Sequence, residues 1–373
     1  MSSQERQSNH RSAANLTGLD YTAAAKALPW RGPIIDAHIH ISGASAARIL
    51  HRVARAYGVT SFISQTRLAD APAIREILGD AVHFVAGPNW GQSDKGHAFR
   101  QGFFDDIAVW HGQFDSRMIK LWAAPRLWDF IGDRASDVVP LDSEWRIRAV
   151  ELAQSLGMMI LVHVADPDTW FRTKYTDTAR YGTKQAQYVP FERMMDRFAG
   201  PWIAAHMAGS PEDLDLLDGL LSRHENLSLD TSATKWMVRE LSKHDPSRRR
   251  EFFTRWKGRI FFGSDIVTTD EHVQPPSGGS AHPMGHLADG PDSAFELYAS
   301  RYWALRTMFE TNHDGPSPIA DPDLMMVDPA RFDAMSAPRL CGSALPEDVL
   351  RALYRDAVVR QFEGRASFGL VAD

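Results

Sequence analysis

A chain of 373 residues with a single cysteine, Cys341, cannot build an intramolecular disulfide framework. No cysteine-nucleophile signature surrounds that residue either. The sequence also lacks any run of about 18 apolar residues, the length a membrane-spanning helix needs. Its polar start, "MSSQERQSNHRSAANLTGLD", has no apolar segment of the kind a signal peptide carries. A cytoplasmic protein without a membrane partner is the expectation. An excess of positive charge is missing too. The net charge of -6 argues against nucleic acid as a partner and leaves a small molecule as the expected one. No glycine-rich phosphate loop follows the first apolar run, which speaks against a dinucleotide-binding fold. Internal repeats and Gly/Ser-rich linkers are absent, so residues 31–373 read as a single domain after a flexible tail over 1–30.

The composition that is present, 44% hydrophobic and 24% charged, suits a globular chain with a large core. Eight short apolar runs follow one another: 34–40, 59–65, 81–87, 117–122, 158–164, 202–207, 226–231 and 260–265. Helical patterns lie between them, including "AARILHRVARAYG", "APAIREILGD", "DSEWRIRAVELAQSLG" closing on Gly157, and "SPEDLDLLDGLLSRHE" with Ser210 as N-cap and Pro211 at the first helical position. Strands alternating with helices imply a parallel sheet. Eight such units predict an α/β fold, a (β/α)8 TIM barrel, with extended loops after strands 5 and 8. A last helix is predicted over "LPEDVLRALYRDAVVRQFEG", terminating at Gly364.

Titratable residues recur where these runs end. The first run, "IIDAHIH", carries His38 and His40, and strict alternation would put Asp36 on their face. The fourth carries Lys120, the fifth ends near His163, the sixth near His206 and the eighth at Asp265. An uncompensated polar group in such a place costs roughly 2–7 kcal/mol. A shared cation would offset that cost, and imidazoles with a carboxylate are the usual ligands of Zn2+ and related ions.

Asp-x-His-x-His on the first strand, His163, His206 and Asp265 together resemble the amidohydrolase superfamily. The likeness is greatest to the amidohydrolase-related branch that includes aminocarboxymuconate-semialdehyde decarboxylase. It spans 34–265 and extends to the final helix. The resemblance implies that His38, His40, His163 and Asp265 bind one divalent metal ion, with Zn2+ expected and Mn2+ the alternative. It makes Asp265 and His206 the catalytic pair, Asp265 moving a proton and His206 polarising the electrophile. Lys120 and Trp122, in "MIKLWAAPR", are expected to bind substrate; a second metal bridged by a carboxylated Lys120 is the other reading. A homodimer is a family-level expectation.

For the reaction, hydrolysis of an amide, lactone or ester-like C–N or C–O bond is the first reading, because the decarboxylases of the branch show no obvious "IKLW" lysine. Nonoxidative decarboxylation of an aromatic or unsaturated acid is the alternative, and a noncatalytic metal-binding module is a third. After His163, "DPDTWFRTKYTDTARYGTKQAQY" carries Arg172, Lys174, Tyr175, Arg180, Tyr181 and Lys184, either a substrate-receiving cover or a solvated cap. The spacing of Ser232 and Lys235 resembles a serine acyl-transfer motif whose companion motifs are absent.

Overall fold

The computed structural model describes residues 12–363 and 365. Its eight inner strands are β1 (Ile34–Ile39), β2 (Val59–Ser64), β3 (Val82–Phe84), β4 (Met118–Trp122), β5 (Met159–His163), β6 (Trp202–Ala204), β7 (Leu227–Asp230) and β8 (Ile260–Phe261). All their pairings are parallel, β1-β2-β3 in one sheet and β4-β5-β6-β7-β8 in the other.

Backbone hydrogen bonds join the two sheets at both seams. Ala86 N donates to Met118 O at 2.8 Å and Lys120 N to Ala86 O at 2.7 Å, linking the end of β3 to β4. At the other seam Ala37 N donates to Phe262 O at 2.7 Å, Asp265 N to His38 O at 2.8 Å and His40 N to Ile266 O at 2.8 Å. The fold is therefore the closed (β/α)8 barrel expected from the strand–helix alternation.

Two apolar layers hold it. Ile35, Ala37, Ile63, Val85, Met118, Met159, Leu161, Ile203 and Phe261 fill the inside, joined by Ala357, Val358 and Phe362 of the C-terminal helical segment. That segment plugs the barrel from the end where the strands begin. An outer layer, with Ile34, Ile39, Phe62, Phe84, Ile160 and Leu229, packs beneath the helices. This two-sided burial is why the strands read as apolar runs with little alternation.

Four expectations are corrected. The segment up to residue 30 is not loose where it is described. Asp20 caps a helix over Tyr21–Ala27, and Tyr21, Ala25 and Leu28, spaced three or four residues apart on one face, are buried. Residues 1–11 and Gly364 lie outside the described residues. The helix after β6 begins at Leu214 rather than at Pro211, because the Asp213 carboxylate accepts from Leu216 N at 2.9 Å and makes the cap there. The sixth run stops being a strand at Ala204. Finally, Asp36 does not share a face with His38 and His40. The β1–β2 register shifts between Asp36 and Ile39, and the Asp36 carboxylate turns outward to Tyr302 Oη at 2.9 Å, with Ser264 Oγ at 2.5 Å. One extra residue in the bulge breaks the two-residue alternation. Burial pushes Asp36 up to about 7.

Candidate metal centre and substrate cavity

The expected ligands converge from separate strands. His40 Nε2 lies 3.2 Å and His38 Nε2 3.7 Å from Asp265 Oδ1, and the three ligand atoms sit within 4.8 Å of one another. His163 is not in that group; its side chain reaches the site from β5, with its ring centroid 4.5 Å from that of His206.

The partners of each imidazole fix which nitrogen faces inward. Asp230 Oδ2 lies 2.8 Å from His38 Nδ1, so that nitrogen carries the proton and His38 Nε2 presents a lone pair. Asp166 Oδ1 sits 2.8 Å from His163 Nε2 and leaves His163 Nδ1 as the free electron-pair donor. The Ser232 hydroxyl donates to Asp230 and therefore accepts from His206 Nδ1–H, at 2.7 Å, which frees His206 Nε2. Burial lowers the pKa of both His38 and His206, keeping them neutral. Burial alone would raise Asp230, but its close interaction with His38, whose Nδ1–H it accepts, and the hydrogen bond from Ser232 hold it below the usual carboxylate range.

A divalent cation fits this donor set. The lone pair of His38 Nε2 faces a carboxylate oxygen, an arrangement of two acceptors that a cation would resolve. The Gln65 amide nitrogen now donates there, 2.6 Å from His38 Nε2 and 3.3 Å from His40 Nε2, and it would have to turn aside for an ion. The other candidate group, His38, His206 and Asp230, is already bound together through Ser232, so its contacts need no ion.

Two of the central residues stand in left-handed backbone. Asp265 has φ 56° and His206 φ 57°, each outside the usual region for a residue with a side chain. His206 opens a left-handed turn that continues through Met207, Ala208 and Gly209. Its amide is fixed by Asp230 Oδ1 at 2.9 Å, and the Ala208 carbonyl by the Tyr188 hydroxyl at 3.0 Å. Gly209 must lack a side chain, since a Cβ there would lie 1.9 Å from Ala165 O.

Lys120 is buried on β4, and no side chain among the described residues accepts a hydrogen bond from its ammonium. Burial pushes it down to about 8, partly countered by Asp230 and Asp265. It is absent from the wall of the main cavity, whereas Trp122, the β-sheet partner of His163, lines it. That cavity of about 360 Å³ opens over Asp265, His163 and His206 and is walled by Trp122, Trp170 and Trp236. Its size falls in the range of sites for small molecules.

Four of the polar residues singled out in the loop after β5, Tyr175, Arg180, Tyr181 and Lys184, are already engaged. Lys184 meets Asp168 at 2.9 Å and also Glu212, and Arg180 and Tyr181 bond Asp129. Tyr175 bonds Asp166, which orients His163. None of Arg172, Lys174, Tyr175, Arg180, Tyr181 and Lys184 lines the cavity; Asp166 and Trp170 do. The Ser232 hydroxyl is spent on Asp230 and the imidazoles, so it makes no serine–lysine pair. Asp230, Gln65 and Asp166 were missed in the sequence. The signal for Asp230 was the same as for the ligands, a carboxylate closing a buried strand. Gln65 and Asp166 gave none.

No family model and no curated protein matches the chain. Solved structures similar to it include an amidohydrolase from Burkholderia multivorans with bound HEPES, at 14% identity over 89% of this chain and 99% of that one, TM-score 0.42. A 2,6-dihydroxybenzoate decarboxylase complexed with 2,6-dihydroxybenzoate aligns at 10% identity over 89% and 100%, TM-score 0.45. Dihydropyrimidinase from Brevibacillus agri aligns at 11% over 91% and 73%, TM-score 0.45. These overlaps bear on neither the reaction nor the substrate.

Proposed function

We propose that the chain is a metal-dependent hydrolase of a small organic substrate with an amide, lactone or ester-like bond. The carrying observation is the approach of His38 Nε2 and His40 Nε2 to Asp265 Oδ1 beneath the cavity. His38, His40, His163 and Asp265 would hold one divalent ion, Zn2+ by donor type, for which two of the imidazoles are already presented in the right tautomer. When bound, such an ion supplies Lewis acidity and lowers the pKa of water toward 7.

The residues then divide the remaining work. His206, neutral and held by Ser232, points its Nε2 side toward the cavity and orients the substrate carbonyl. Asp265 also lines the cavity and takes the proton of the attacking water. The water oxygen bonds to the acyl carbon, the C–N or C–O bond breaks, and Asp265 returns the proton to the leaving atom. Trp122 supplies an apolar wall, stacked on His163 with ring centroids 6.4 Å apart. Lys120 acts from below, as a buried positive charge beside Asp230 and Asp265.

Metal analysis and isotope labelling test this reading. Metal-replete protein is expected to hold one divalent ion per chain, and a second ion with added density on the Lys120 amine would make the centre binuclear. A screen of lactones, amides and aromatic carboxylates supplies the first substrate. In 18O water the label should enter the product carboxylate. Release of CO2 without solvent oxygen, and with solvent deuterium at the vacated carbon, assigns decarboxylation instead.

A further inference from the structure

Two cations on the cavity wall have no use in this scheme. Lys235 follows β7, and Arg301 lies on the helix Pro291–Glu310; both are partly buried and both line the cavity that holds Asp265, His163 and His206. Among the described residues neither has a carboxylate within ion-pair distance. Arg301 donates to Ser300 Oγ at 3.1 Å, which satisfies one of its five N–H groups.

The acids nearby are already engaged. Asp321 accepts from Arg239 and from Asp323 N at 3.2 Å. Asp323 accepts from the indoles of Trp170 at 2.9 Å and Trp236 at 3.1 Å and lies 3.2 Å from Arg239. Arg239 is also bound to Glu240 at 2.6 Å. Burial, and then the charge of Arg301, push Lys235 down to about 8, while burial lowers Arg301 to about 10. Two like charges on one partly buried wall with no carboxylate in contact are costly, Asp321 and Asp323 offset that cost only in part, and an anion entering between them lowers it further.

We propose that Lys235 and Arg301 form a subsite for the carboxylate of a small planar organic monoacid, which they anchor while its scissile group faces the His38–His40–Asp265 cluster. The inference rests on the hydrolase reading and adds the substrate class. Trp122, Trp170 and Trp236 line the same cavity and suit an apolar, planar body. Asp321 and Asp323 also line it and would repel a dianion, which favours a carboxylate over a phosphate. A carboxylate anchored here is not the group that reacts, so the substrate must carry a second functional group at the ligand end.

Calorimetric titration of the full-length, metal-replete protein with benzoate and with neutral, isosteric benzamide tests the subsite. Wild type is expected to prefer benzoate by about tenfold, as charge-assisted hydrogen bonds do. Lys235→Met and Arg301→Met should each erase that preference with benzamide affinity unchanged, and Arg301→Lys should retain most of it. Should Arg301→Met lose its cooperative melt, Lys235→Gln, at a partly exposed position, carries the test. Equal affinity for the two probes, no benzoate binding, or folded variants that keep the preference overturn the proposal. The metal content of the same samples reports separately on the hydrolase reading: an ion-free protein that still prefers benzoate sinks that reading and leaves the subsite standing.

Discussion

The carboxylate of Asp230 stands 2.8 Å from His38 Nδ1 and also accepts the backbone N–H of His206 at 2.9 Å, so one β7 residue sets both the imidazole of a candidate metal ligand and the turn that carries its neighbour. Asp230→Asn keeps the size of the side chain but weakens the hold on the His38 tautomer. Metal affinity should fall by about 10–100-fold, the usual effect of removing a ligand's outer partner. Competition with a chromophoric chelator measures it; unchanged affinity would show that Asp230 does not orient His38.

Ligand and catalytic roles separate by substitution. His38→Ala and His163→Ala should lose metal and turnover together. His206→Asn should keep most of the metal while kcat drops by about 10²–10³-fold, the range for removing one polarising group. Elemental analysis beside kinetics on the screened substrate decides it. A metal-free His206→Asn protein would make His206 a ligand.

The left-handed turn depends on Gly209. In Gly209→Ala the new Cβ meets the Ala165 carbonyl at 1.9 Å, in a backbone with φ 74°. We expect a loss of about 2–4 kcal/mol in urea unfolding, as for other changes that force backbone movement. Metal binding through His38 and His40 should survive in the folded fraction, since those residues lie on β1. Wild-type stability would mean that the turn relaxes freely.

Benzoate binding should depend on pH through Lys235. Its folded-state pKa, about 8, lies below the ordinary lysine value of 10.5, so the ammonium is present at neutral pH and is lost as pH rises through about 8. Arg301, Arg239, Asp321 and Asp323 face it, and Arg301, lowered by burial only to about 10, keeps its charge through pH 8. Affinity for benzoate should be flat from pH 6 to 7.5 and decline above about 8, with bound anion moving the midpoint upward. Benzamide affinity should not follow. A pH-independent benzoate affinity that persists in Lys235→Met would remove Lys235 from the subsite.

Much of this molecule was legible in one dimension because its signals are local. Eight apolar runs separated by amphipathic segments specify parallel strands covered on both faces, and a barrel is the closed solution for eight of them. His38, His40, His163, His206 and Asp265 stood out because each interrupts or ends such a run, where a polar group needs a reason to be. The direction of a side chain is less local. Asp36 obeys the alternation on paper, yet a bulge whose cause lies in the β1–β2 register turns it toward Tyr302, 266 residues away.

Partnership was decided only by the tertiary fold. Asp230 and His38 are separated by 192 residues and become neighbours through barrel closure, and so the tautomer of the imidazole could not be read beforehand. The same holds for Lys235 and Arg301. In sequence each is one more surface-type cation, since charge carries no mark of whether a carboxylate will stand beside it. The segment after β7 and the helix Pro291–Glu310 bring the two onto one cavity wall while the nearby aspartates go to Arg239 and the indoles, because each carboxylate has few acceptor positions and those partners occupy them.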